Sequence, residues 1–187
     1  MKKISSPITL EQVKDLKAGD IVYITGTIFT ARDAAHKKLV DDLKAGNELN
    51  IDLKNATIYY VAPTPALPGQ VIGSSGPTSS YRMDPFTKDL LEAGVKVMIG
   101  KGPRSNEYKE LIQKYQAVYI SAIGGTGALT QKSITASKVV RYPELDAEAI
   151  RELEVKDFYG IVANDMYGGD LFLEGINNYL TKGEQKK

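Results

Sequence analysis

Residues 21–33 limit the fold more than any other stretch. Ile21 to Phe29 read IVYITGTIF, a β-branched and aromatic run that favours a strand with a bend at Gly26. The run passes without a linker into Thr30-Ala31-Arg32-Asp33, a capping-box pattern, and Leu39, Val40 and Leu43 then give an apolar helix face that closes at Gly46. A strand feeding directly into a helix is the repeating unit of α/β folds. The unit recurs in VKVMIG (95–100) followed by a helix from Ser105 through Tyr115, and in AVYISAI (117–123) followed by Gly124-Gly125-Thr126-Gly127.

Other segments fill in the frame. Thr9-Leu10-Glu11-Gln12 is a capping box opening a short helix that stops at Gly19-Asp20. TIYYVA (57–62), VIGSS (71–75), SKVVRY (137–142) and FYGIVAND (158–165) read as strands, and Asp84-Pro85 caps a helix over 85–93 that ends at Gly94. ELDAEAIREL (144–153) reads as a solvated amphipathic helix, and EGINNYLTKGEQKK as a frayed helix with a charged tail. Several strands have no helix between them, so a layered β/β/α arrangement fits as well as a doubly wound sheet. At 187 residues the expectation is one domain with a short tail.

Composition removes whole classes of function. Lys and Arg number 24 against 23 for Asp and Glu, so no global positive charge awaits a nucleic acid or an anionic membrane. No signal-peptide core or run of about 18 apolar residues is present, and a cytoplasmic location is expected. Cysteine is absent, which removes disulfides, thiolate nucleophiles and any iron–sulfur cluster held by this chain's own thiolates. With His36 as the single histidine, a self-contained zinc site or serine–histidine triad lacks its parts. His36 itself, on the apolar side of its helix, reads as a structural histidine.

Three strand-end loops hold residues that structure alone does not require. In GTIFTARDAAH (26–36), Arg32 falls in the first helical turn, where the macrodipole disfavours a cation. Either Asp33 and solvent screen it, or it shares a carboxylate ligand with the helix N-terminus. The loop GSSGPTSSYRMD (73–84) is dense in hydroxyls and glycines, and its backbone N–H groups suit an anion seat or a plain turn. In IGKGP (99–103), Lys101 stands between glycines, as a solvated turn lysine or a ligand group. No Gly-Lys-Ser/Thr ends either glycine loop, which disfavours a nucleotide. Gly124-Gly125-Thr126-Gly127 reads as close packing or a helix start. Two guanidiniums, one ammonium and a hydroxyl at strand ends suit a small dianion.

Taken in order and spacing, GTIFTARDAAH, VIGSSGPTSSYRMD and IGKGPRSNEY resemble the three signature segments of the β subunit of class I fumarases and tartrate dehydratases. The resemblance runs from about residue 8 to 172 and implies a swivelling β/β/α layered domain over 1–173, with 174–187 as a tail. It implies that Arg32, Arg82 and Lys101 bind the substrate carboxylates and that Thr78 acts as base, helped by Arg82 four residues on. It also implies a [4Fe–4S] cluster bound by a partner α subunit through three cysteines and not by this chain. Fumarate and malate are the expected substrate pair. The alternatives are L(+)-tartrate dehydratase and, in another class, a non-catalytic dicarboxylate-binding module, which would not need the Thr78 hydroxyl. The ending NDMYGGDLF departs from the simpler turn the family would show.

Overall fold

The computed structural model describes residues 1–184. In chain order the elements are β1 (Lys2–Ser6), α1 (Leu10–Lys14), β2 (Ile21–Thr30), α2 (Asp33–Ala45) and β3 (Thr57–Tyr59). A 3-10 helix (Ser80–Phe86) then leads into α3 (Thr87–Glu92), followed by β4 (Val97–Gly100), α4 (Asn106–Lys114), β5 (Val118–Ser121) and α5 (Gly127–Lys132). The chain closes with β6 (Ile134–Arg141), a second 3-10 helix (Pro143–Glu148), β7 (Ile150–Asn164) and α6 (Leu171–Glu184). No helix among the described residues is long and apolar enough to cross a membrane.

The two long strands, β2 and β7, form an antiparallel ribbon from Ile21↔Ile161 to Phe29↔Glu152. The free edge of β2 takes β1 along Val22–Gly26 and then β3 at Phe29 and Thr30, both parallel to it. The free edge of β7 takes β6 and, at its far end, β5. Because β3, β4 and β5 continue in parallel from one long strand to the other, the sheet curls into a barrel-like ring. The mixed α/β class follows from the sequence, and the arrangement adopted is this curled sheet with helices packed against it.

Side-chain alternation divides the interior into two cores, as the two-residue strand period requires. Val22, Ile24 and Ile28 of β2, Tyr59, Val97, Ile99, Val118, Ile120 and Val162 fill one side of the sheet. Ile58, Tyr60, Met98, Tyr119 and Ala163 face the other, against Ala35 and Leu39 of α2, Leu90 and Leu91 of α3, and Tyr108 and Ile112 of α4. Each such fully buried aliphatic side chain contributes roughly 1.5–3 kcal/mol relative to exposure. Gly26 sits where the ladder shifts register, at φ 113°. A Cβ there would lie 2.4 Å from the Ser6 carbonyl oxygen, so only glycine lets β1 close on β2.

The capping box at Thr9 is present, with reciprocal Thr9 and Gln12 contacts. The one read at Thr30 is not. Arg32 is the N-cap of α2 without a side-chain cap bond, because the Thr30 hydroxyl is taken by β7, accepting from Arg151 N at 2.9 Å. Residues 71–75 form no strand, β3 stops at Tyr59, and the helix read over 85–93 is a 3-10 helix from Ser80 that becomes α3 at Thr87. The stretch 144–153 is not an amphipathic helix but a 3-10 turn followed by the start of β7. Strand β1 is formed by a segment in which the sequence shows no signal. The last three residues of the charged tail lie outside the described residues.

Candidate functional site at the strand carboxyl ends

Strands β2, β3, β4 and β5 run parallel, so their carboxyl ends share one edge, the usual place for ligands in open parallel sheets. Arg32 follows β2, the 73–84 loop follows β3, and Lys101 follows β4. The loop returns to the edge as an added rung beside β4. Thr78 N donates to Tyr60 O at 2.7 Å, Lys101 N to Thr78 O at 3.2 Å, and Ser80 N to Lys101 O at 2.9 Å. This ladder, with Ser79 opposite Lys101, sets Thr78 and Lys101 side by side although they are 23 residues apart.

Glycine at position 100 makes that approach possible. A Cβ there would meet Ser80 Oγ at 2.0 Å and Tyr60 Cδ2 at 2.8 Å. The Ser80 hydroxyl instead donates to Tyr119 Oη at 2.9 Å, and Tyr119 Oη donates to the Gly102 carbonyl at 2.9 Å. The glycines of the Ile99–Pro103 loop thus serve backbone approach and hydroxyl bridging.

The two arginines meet at one carboxylate. Arg82 Nε lies 2.9 Å from Asp33 Oδ1, and Arg32 Nε lies 3.3 Å from Asp33 Oδ2. Arg32 Nε is also 3.5 Å from Glu148 Oε1, whose other oxygen accepts from Ala34 N at 2.9 Å. Burial works against the Asp33 charge, yet a backbone N–H, the Arg32 bond and the Arg82 charge together hold its carboxyl below the usual aspartate value. Screening of Arg32 by Asp33 is therefore real, and so is the convergence of the two guanidiniums. No hydrogen bond or ion pair joins Thr78 or Lys101 directly to this cluster among the described residues.

Arg104 and Asp84 are the residues that sequence reasoning missed. Arg104, its side chain wholly buried, reaches Asp84 Oδ1 with Nε at 2.5 Å. Its guanidinium lies over the Tyr108 ring, 3.3 Å from the centroid, a favourable cation–π position. Asp84 Oδ2 accepts from Ser105 N at 2.9 Å. The pair therefore ties the 3-10 helix carrying Arg82 to the loop carrying Lys101. The sequence around Arg104, KGPRSNE, is polar and carries no signal of its burial, and nothing local names its partner.

His36 lies beneath this cluster, buried, with its ring edge-on to Tyr60 at 5.2 Å between centroids. Nδ1 donates to the Arg32 carbonyl at 3.0 Å, while buried Nε2 has no partner among the described residues. Burial leads the depression of its pKa to about 4. The neutral ring is the folded form, buried as a structural histidine would be but only half satisfied, because Nε2 is unpaired among the described residues. With the folded value below the unfolded value of about 6.5, His36 contributes stability fully above pH 6.5 and loses it as the pH falls towards 4. Urea unfolding at pH 7 and pH 5 should show a smaller loss for His36→Phe than for the native chain, by about 1–2 kcal/mol.

The sequence has no cysteine, and no group of three or more His, Asp or Glu side chains among the described residues is placed to hold a metal ion. An iron–sulfur cluster does not fit this chain's own residues. What the edge offers is three cations and a hydroxyl, with Asp33 and Glu148 already paired to the two arginines.

Known proteins resemble the chain over most of its length. Residues 2–175 match the family described as Fumarase C-terminus. The chain is 39% identical over 171 residues to the anaerobic class I fumarate hydratase of Escherichia coli K12, covering 90% of this chain but 31% of that protein. It is 35% identical over 169 residues to mitochondrial fumarate hydratase 1 of Leishmania major, covering 89% of this chain and 31% of that protein. A Methanocaldococcus jannaschii protein provisionally named L(+)-tartrate dehydratase subunit beta is 36% identical over 180 residues, covering 93% of this chain and 92% of that one. The chain thus spans about a third of the fumarate hydratases and nearly the whole of the tartrate dehydratase relative, and it belongs to the fumarase C-terminal domain family.

Proposed function

We propose that this chain is the β half of a fumarate hydratase that reversibly hydrates fumarate to L-malate at a site completed by a partner α subunit. The observation that carries the reading is the convergence of Arg32 and Arg82 at the edge that also bears Thr78 and Lys101. In this reading Arg32, Arg82 and Lys101 bind the substrate carboxylates, and their charge meets the negative charge that develops on the aci-carboxylate as the C3 proton leaves. Thr78 moves that proton. A hydroxyl does so at neutral pH only with an activating neighbour, and the adjacent Lys101 and nearby Arg82 are the cations available. A [4Fe–4S] cluster, held by three cysteines of the partner, would supply Lewis-acid activation of the hydroxyl that adds to the double bond.

In the same proposal, residues 1–173 act as one unit that swivels against the partner, with 174–187 as its tail, in the cytoplasm. A tartrate dehydratase β subunit is the second reading, favoured by the relative of matching length. The test is reassembly. The chain alone should carry no iron and turn over nothing; mixed anaerobically with a three-cysteine partner and reconstituted with iron and sulfide, it should hydrate fumarate. Turnover by the isolated chain overturns the two-subunit reading, and a reassembled pair that dehydrates only tartrate shifts the substrate.

A further inference from the structure

Two cations of like sign at one edge repel each other, and one of them, Arg82, has a side chain 42% exposed. Left to itself such an arginine samples many rotamers, and ordering it on ligand binding costs entropy. In the structure both are held by a single carboxylate reached from different elements, Arg32 from the N-cap of α2 and Arg82 from the 3-10 helix. Each contact is made through Nε. The Nη1/Nη2 edge of a guanidinium lies on the other side of the planar group, so Asp33 can hold both side chains without occupying the edges that would grip a carboxylate in two parallel bonds.

We propose that Asp33 is a positioning residue that fixes the spacing and direction of the Arg32 and Arg82 guanidiniums for the substrate carboxylates, a role that rests on those two arginines being the carboxylate ligands. Asp33 itself touches no substrate. Its place in the first turn of α2 is favourable for an acid, so the tether adds no burden to the helix. Glu148, 3.5 Å from Arg32 and bonded to Ala34 N, supports Arg32 alone, which leaves Asp33 as the group common to both.

A plain charge-balancing carboxylate predicts the opposite of a positioning one. Removing a competitor for the guanidiniums should tighten dicarboxylate binding, whereas removing a positioner should weaken it. In the enzyme reassembled with its cluster-bearing partner, Asp33→Asn should raise the KM for L-malate by about tenfold, the scale of one charge-assisted contact, and leave kcat within about threefold. In an Arg82→Met background the same substitution should have a smaller further effect, since only the Asp33 contact with Arg32 is then left to lose. Asp33→Glu, which keeps the charge but moves the oxygens, should fall between native and Asp33→Asn and covers the case in which the amide variant fails to fold. An unchanged or lowered KM in Asp33→Asn, or equal effects in both backgrounds, overturns the positioning role. If Arg32→Met and Arg82→Met themselves leave KM unchanged, it is the carboxylate-ligand reading that falls instead.

Discussion

Asp84→Ala is expected to lower the unfolding free energy by about 3–5 kcal/mol, the range for breaking a buried ion pair from one side. The Arg104 side chain is wholly shielded from solvent and its Nε bonds Asp84 at 2.5 Å, so the alanine variant strands a guanidinium that cannot shed its proton. The tyrosine faces around it soften that cost without replacing the carboxylate. For a chain of this size the change corresponds to a fall in Tm of roughly 10 °C. The double variant Asp84→Ala/Arg104→Met, which removes both charges, should recover much of the loss, because a buried pair is often worth little against an apolar pair of similar volume. Urea denaturation of the three chains decides it: a single-variant loss under about 1 kcal/mol means that solvent reaches the pair after all.

Thr78→Ala should lower kcat of the reassembled enzyme by about 10²–10⁴, the usual contribution of a positioned proton-transfer group, while KM changes little. The backbone of Thr78, which bonds Tyr60 and Lys101, is untouched by the substitution, so the ladder holding Lys101 should survive. Thr78→Ser, which keeps a hydroxyl on the same rung, should retain most of the rate. Steady-state kinetics with L-malate and fumarate separate the outcomes. A rise in KM with kcat preserved would assign Thr78 to ground-state binding and leave the proton transfer to another group.

Features with a local signal were legible in the sequence. Helix α1 was one, because Thr9 and Gln12 cap each other within one turn. Gly26 was another, because a lone glycine inside a β-branched run marks a bend or a close backbone approach. The second capping box had the same residue pattern and failed because the Thr30 hydroxyl meets β7, 121 residues away in the chain. The stretch 144–153 looked helical for a related reason. Ile150 and Leu153 stand three apart, which imitates a helix face, but they belong to opposite sides of one strand. Further along, at Lys156 and Asp157, the strand bulges and resets its alternation, with φ 51° at Asp157.

By itself the sequence determined the α/β class, the absence of thiolates that could ligate a cluster, the structural character of His36, and which cations and hydroxyl deserved notice. Those follow from residue type and short-range periodicity, which need no knowledge of the rest of the chain. The tertiary structure alone decided that β2 and β7 close the sheet into a ring, that Asp33 gathers Arg32 and Arg82, and that the buried Arg104–Asp84 pair joins the Arg82 and Lys101 loops. Each of these is a pairing between segments distant in sequence. Which partner a side chain meets is fixed by the register and curvature of the whole sheet, a property that no local stretch of residues carries.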